Sequence, residues 1–523
     1  MKLKTLISLL VIFISSGVHA ASPDSLIKFN DLIFKSEFEK AAIARGASAK
    51  SSDITDIFLT PYLKETTFDA TAAHQKINNC VNSLRGMVEN KSESKRVKIT
   101  YDFVHKTFFK IYKFENSFCD IFNKGEYNCV SASALYGIIF SKLDIPYQVK
   151  ETPQHVYLEA YPSTGKVLIE TTSPEKGYYQ FSDEFAENYI KNLYKSKLIS
   201  QEEMDTSKTT ELFNKYYFSS ENISLMQLAG LQYSNYGIYN LDKKNYASAV
   251  DELKKAYYLY PSERNKYMLK MVLLLQVGNN NYNNMDQVYN LVTLCQYKNL
   301  KDDEISDEGI RSEFLRIIQT QLISNSDYAK FDSSYFLIST ALTDTALKNS
   351  IGFDYHFELA RLGFLNLKDT VYELNHLQAA YAINRNNANL QTIILGYFAR
   401  IIEKSNDAVA VMNLINNYNR KFNFLDDNEQ FNAIKANCML ELSFRNYSVN
   451  NLSKGDNYIK EFEELYERQK SLAINETYVE KAYMTAAGVY FKKGNYAKSK
   501  QFVKSGLIYT PGSFGLKQML TQY

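Results

Sequence analysis

A thiol, an imidazole and a carboxylate follow one another along this chain at Cys129, His155 and Glu170. The thiol opens an apolar stretch, the imidazole opens a short run of alternating residues, and the carboxylate lies on the next such run. That order supplies what acyl transfer through sulfur needs: a nucleophile, a base to take its proton, and a group to orient the base. Taken singly, each has a plainer reading as a buried cysteine, a satisfied histidine and a solvated glutamate. Their joint placement is what makes a catalytic triad worth testing.

The elements around them carry that placement. Asn128 is a favoured N-cap, which makes Cys129 the first residue of an amphipathic helix reaching about Lys142. A thiol there meets the unpaired amides and positive end of the helix, which favour the thiolate. Ser131, Ala132, Ser133 and Ala134 are small enough to bring the helix close to a sheet. Strands are expected at Tyr147 to Glu151, His155 to Tyr161 and Lys166 to Thr172, with Pro162-Ser163-Thr164-Gly165 as the last turn. A symmetric hairpin sets Tyr161 opposite Lys166 and Tyr157 opposite Glu170. His155 and Glu170 then become diagonal neighbours on one face, about 7–8 Å apart at most. A turn longer or shorter by one residue would put them on opposite faces.

These motifs, in this order, resemble the transglutaminase-like core of papain-like cysteine acyl-transfer enzymes. The resemblance runs from Phe103 to Tyr178 and rests on the helix-start Cys129, on Ile145-Pro146-Tyr147, on His155-Val156-Tyr157-Leu158-Glu159 and on Leu168-Ile169-Glu170-Thr171-Thr172. It implies a small α+β fold, with Cys129 as nucleophile, His155 as base and Glu170 as orienter. This chain departs from the family pattern in two ways. Glutamate replaces the usual aspartate, with Glu-Thr-Thr for Asp-Pro-Thr. Tryptophan is absent, so any family role for that ring falls to Tyr127 or Phe122. His105, on the preceding helix, reads as a core or surface residue rather than a second base.

Residues 1–20 read as an export signal: Lys2 and Lys4, the apolar Leu6 to Ile14, and Val18-His19-Ala20 before a cleavage point. The expected location is therefore periplasmic or extracellular, with no integral membrane segment once the signal is removed. Lys and Arg number 60 against 58 Asp and Glu. Without Lys2 and Lys4 the counts are equal, which argues against nucleic acid as a partner. The five cysteines contain no CxxC, no histidine pair has metal-ligand spacing in sequence, and phosphate loops are absent, so neither metal nor cofactor is expected. If four of the cysteines pair, one thiol is left over and Cys129 is a good candidate for it; the alternative is that all five are free and buried.

Residues 21–99 read as a helical N-terminal portion and 100–198 as the core, with a clear helix over Thr100 to Phe114. From about 205 to 523 strands vanish and a repeat emerges. Gly237, Tyr246, Ala249, Leu253, Ala256 and Pro261 resemble the tetratricopeptide pattern, with a unit of about 34 residues. A second copy runs from Tyr483 to Pro511, with Ser499 and Gly506 in place of alanines. A third surrounds Leu377-Gln378-Ala379-Ala380-Tyr381, with Arg385 where proline is usual. Because one hairpin cannot bury its own apolar face, the intervening sequence is expected to stack as further hairpins. The expected architecture is thus mainly α: a small α+β transglutaminase-like domain followed by an α-solenoid. The expected function is an exported cysteine-dependent enzyme acting on an amide of a protein or peptide held by the repeats, with hydrolysis favoured over transamidation. The alternative is an inactive core serving with the repeats as a protein-binding scaffold.

Overall fold

The computed structural model describes residues 26–46, 54–62, 68–152, 155–171, 178–179, 199–216, 221–300, 304–363, 369–405 and 407–523, with single positions at 187, 190, 191 and 194. The segment 1–20, expected to be an export signal, lies outside the described residues. The chain forms two compact units, Met1–Ile305 and Ser306–Tyr523.

The first unit opens with helices α1 (Glu37–Gly46), α2 (Thr55–Phe58), α3 (Ala70–Val88) and α4 (Glu93–Phe108). The helix read over Thr100 to Phe114 therefore stops at Phe108. Beyond it the aromatic and β-branched residues turn extended, and β1 (Ile111–Tyr112) pairs in parallel with β2 (Glu126–Tyr127). Gly125, at φ +72°, allows the turn into β2, and its carbonyl accepts the amides of Lys110 and Ile111 at 2.8 and 3.2 Å. Between the two strands lies α5 (Phe118–Asn123).

Helix α6 (Cys129–Lys142) starts where the cap residue required it. Asn128 accepts the Ser131 amide, and its own amide donates to Ser131 Oγ, both at 2.9 Å. The helix is not amphipathic, as its sequence suggested: every residue from Val130 to Phe140 is buried. One side packs on β3 (Tyr147–Glu151) and β4 (Val156–Ala160), where Ser133 Oγ donates to the Val156 carbonyl at 3.4 Å. Burying side chains such as Leu135, Ile139 and Phe140 contributes about 1.5–3 kcal/mol each.

The sheet continues with β5 (Val167–Ile169), β6 (Tyr178–Tyr179) and β7 (Glu221–Ile223), in the order β6-β5-β4-β3-β7. All its pairings are antiparallel. Strand β7 falls in the region read as purely helical. It covers the edge of β3, pairing Val149 with Ile223, and so satisfies backbone groups that an open edge would leave unpaired.

Helices α7 (Gln201–Thr206) and α8 (Thr209–Tyr216) precede β7. Two hairpins follow it, α9 (Leu225–Asp242) with α10 (Tyr246–Leu259) and α11 (Glu263–Gly278) with α12 (Met285–Asn299). Helix α9 approaches α10 closely because Gly237 has no Cβ; one built there would stand 2.6 Å from Leu253 Cγ. These hairpins belong to the same compact unit as the sheet. Lys255 on α10, fully buried, meets Glu39 of α1 at 3.1 Å and Glu252 at 3.3 Å. Tyr233 donates to Glu39 at 3.0 Å. Removing one member of such a cluster leaves a charge buried without its partner, which costs about 3–5 kcal/mol.

The second unit is helical throughout its described residues: α13 (Asp307–Ile317), a wide turn at Ile318–Ser324, α14 (Tyr328–Ala341), α15 (Thr345–Leu362), α16 (Thr370–Ile383), α17 (Ala388–Glu403), α18 (Ala408–Lys421), α19 (Glu429–Ser448), α20 (Leu452–Arg468), α21 (Glu476–Lys492), α22 (Tyr496–Tyr509) and α23 (Phe514–Leu520). Pairs α15/α16, α19/α20 and α21/α22 are close hairpins. The two substitutions in the last repeat-like stretch have physical reasons. A Cβ at Gly506 would lie 2.8 Å from that of Tyr483, and Ser499 Oγ donates to the Ala487 carbonyl at 2.6 Å. Among the described residues no helix is long and apolar enough to cross a membrane.

Candidate active site

The sheet register decides whether the imidazole and carboxylate can meet. Strands β4 and β5 pair Leu158 with Ile169, Glu159 with Leu168 and Ala160 with Val167. Continued outward, the same register sets Tyr157 opposite Glu170, the symmetric hairpin read from the turn. Tyr161, at φ +52°, accepts the amides of Thr164 and Gly165 to close that turn. His155 stands just before β4 and Glu170 just after β5, at neighbouring strand ends.

His155 Nε2 lies 3.0 and 3.1 Å from the two carboxylate oxygens of Glu170. The backbone under the ring is pinned: the His155 amide donates to Thr152 Oγ1 at 3.0 Å, and its carbonyl accepts the Thr152 amide at 2.8 Å. Cys129, half-buried at the first position of α6, is close enough to act on the same ring. Burial pushes the His155 pKa down, but the hydrogen bonds to Cys129 and Glu170, with their charge, outweigh it and raise it to about 10. All three residues singled out from the sequence are therefore brought together. The ring is held in its charged form by the carboxylate, with the thiol beside it as the second group that favours that charge.

An aromatic wall backs the site. Tyr127 packs 4.6 Å from Phe109 and 6.1 Å from His105, and His105 stacks on Tyr101 at 5.7 Å. Burial lowers the His105 pKa against the opposing pull of Asp102, and its Nδ1 is buried with no partner among the described residues. Of the two rings considered for the missing tryptophan, Tyr127 lies in this wall. Phe122 lies in a separate cluster with Phe68, Phe108 and Phe118. The sequence reading passed over Tyr112, which sits edge-on to Tyr127 at 5.9 Å and is about half exposed (48%). Its hydroxyl pKa is raised by burial and then by the charges of Cys129, Tyr127 and Glu170. A helix read through Thr100 to Phe114 hid the strand that presents it.

The remaining cysteines are free and buried rather than paired. Burial raises Cys80 and Cys295 to about 12 and Cys438 to about 11, and Cys119 also lies well above the ordinary range. In the second unit, two histidines twenty positions apart in sequence meet across α15 and α16. His356 Nδ1 and His376 Nδ1 are 2.9 Å apart. Among the described residues no group of three or more His, Cys, Asp or Glu gathers as a metal site. The same unit carries a groove of about 1050 Å³ between α18, α19 and α20, lined by Met412, Met439, Tyr458, Lys454, Glu461 and Glu464 among others.

No family model matches the chain, and no curated protein matches it. Among solved structures, that of Naa15/Naa10 bound to HypK-THB is similar over 85% of this chain and 65% of that chain, just under two thirds of the latter's length. The identity is 12% and the TM-score 0.16, too low to assign a fold.

Proposed function

We propose that the protein is an exported cysteine-dependent acyl-transfer enzyme with a transglutaminase-like core, hydrolysing an amide of a protein or peptide held by tetratricopeptide-like repeats. One observation carries the reading: a single imidazole beside a helix-start thiol, held through Nε2 by a carboxylate 3.0 Å away. Support for export is the pattern of residues 1–20, and support for a held partner is the groove along α18 to α20.

On this reading His155 already holds the proton of Cys129, and the thiolate Sγ of that ion pair forms a bond to the acyl carbon. The carbonyl oxygen takes up the negative charge, facing the Cys129 amide at the helix start. The C–N bond then breaks as His155 returns the proton to the leaving nitrogen. Water, deprotonated by the same ring, attacks the thioester and releases the acid and the free thiol. An amine in place of water would give transamidation. Glu170 holds the ring and its positive charge throughout.

The test is alkylation by iodoacetamide, with each thiol followed by peptide mass spectrometry. Cys129 should label much faster than the four buried cysteines near neutral pH and slow as pH falls. Uniform slow labelling of all five would sink the enzyme reading and favour the catalytically inactive scaffold.

A further inference from the structure

Helix α9 belongs to the first helical hairpin, yet it touches the cap of the nucleophile helix. Its Tyr239 is buried (3% exposed), with its ring 5.9 Å from Phe114 and 5.6 Å from Tyr62. The Tyr239 hydroxyl donates to the Phe114 carbonyl at 2.6 Å. It accepts from Asn128 Nδ2 at 3.3 Å and from the Asn116 amide at 3.4 Å. The second Nδ2 hydrogen of Asn128 goes to the Phe114 carbonyl at 3.2 Å. Asn128 Oδ1 caps Ser131, Ser131 Oγ donates to Asn116 Oδ1 at 2.7 Å, and Asn116 Nδ2 donates to the Glu126 carbonyl at 2.9 Å. The loop before α6, the cap and the hairpin thus share one closed set of hydrogen bonds, with the Tyr239 hydroxyl at its centre.

We infer that Tyr239 is a positioning residue for Cys129, tying the first helical hairpin to the cap that aims the thiol. Without the hydroxyl, Asn128 and Asn116 each lose an acceptor inside a buried site, and the Asn128 side chain is no longer held from both ends. The residue that follows that cap is the nucleophile. The charge of Cys129 is among the influences on the Tyr239 hydroxyl, whose pKa is raised chiefly by burial. Any displacement of α9 is then felt at the thiol. This inference rests on Cys129 being the reactive thiol.

Tyr239→Phe keeps the ring and its packing and removes only the hydroxyl. Tyr236→Phe, on the same helix, is the matched comparison, since the Tyr236 hydroxyl donates to the Thr60 carbonyl at 3.3 Å and not to the cap. Both full-length variants are melted, and the iodoacetamide labelling rate of Cys129 is recorded against pH. Tyr239→Phe should slow labelling by about fivefold at neutral pH and move the midpoint of the profile. Tyr236→Phe should lower the melting temperature comparably and leave the profile as in the parent. If the two variants label alike, the inference is overturned while Cys129 stands as the fast thiol. If the fast-labelling thiol survives in Cys129→Ala, the nucleophile reading falls and this inference with it.

Discussion

Two half-buried histidines, one in each unit, have taken opposite paths. Burial works against the charged ring in both. At His155 a thiol and a carboxylate turn the balance and raise the pKa to about 10. At His356 the nearest polar group is another imidazole, His376, and burial together with that neighbour lowers the pKa to about 4. The surroundings of His356 are aromatic: Tyr355 at 5.0 Å, itself stacked on Tyr335 at 3.7 Å. Burial alone therefore makes a neutral, structural histidine. Two neighbours able to carry negative charge, a carboxylate and a thiol that gives up its proton, make a charged one suited to chemistry.

The largest effect should come from the atom that distinguishes the two sites. Cys129→Ala should reduce turnover to background, roughly a millionfold for a working triad, measured on any amide substrate that the parent cleaves. Retained turnover would erase the contrast. Next, Glu170→Gln should cost turnover roughly hundred- to ten-thousandfold and bring the His155 pKa down from about 10, read by NMR of the ring protons. A His155 still titrating near 10 would show that the carboxylate is not what separates it from His356.

A smaller effect is on stability, and its sign differs between the units. His155 binds its proton more tightly folded than unfolded. Its contribution is complete below the ordinary value of 6.5 and is lost as pH rises through about 10. His356 is the reverse: its unfolded form takes a proton near 6.5 and its folded form only near 4. The second unit should therefore lose stability as pH falls across that interval and change no further below it. Hydrogen exchange of the intact chain, followed peptide by peptide, should show α15 and α16 opening in acid and the β4–β5 hairpin opening in base. Last and smallest, His376→Gln removes the second titrating ring. It should raise the His356 pKa and blunt that acid response, with little change at neutral pH; an unaltered response would assign it elsewhere.

What was legible in the sequence was local. Asn128 announced its helix because a cap is a short-range hydrogen bond, and Pro162 to Gly165 announced the register because hairpin parity follows from turn length. Those two signals sufficed to bring Cys129, His155 and Glu170 together. What escaped was non-local or had two local readings. Ile111 and Tyr112 continue a helical spacing, and only pairing with Glu126 and Tyr127 makes them a strand. Glu221 to Ile223 carry no strand signal of their own without the edge of β3. His356 and His376 lie twenty residues apart and meet only because two helices pack. Tyr239 looks like a hairpin core residue until Asn128, more than a hundred positions earlier, is found against it.

The β7 edge, the Tyr239 hydroxyl and the Lys255 ammonium share a consequence for how the molecule is made. Each completes the first unit, and each is encoded well after Cys129. A ribosome adding about 5–20 residues per second delivers Lys255 on the order of ten seconds after Cys129. Through that interval the nascent chain carries an uncovered strand edge, an unsupported cap and a carboxylate at Glu39 still waiting for its cation. The first unit is thus completed late in synthesis, by β7 and by residues of the first helical hairpin. A chain cut near residue 205, where composition suggests a boundary, would be born with its sheet edge bare and would aggregate rather than fold.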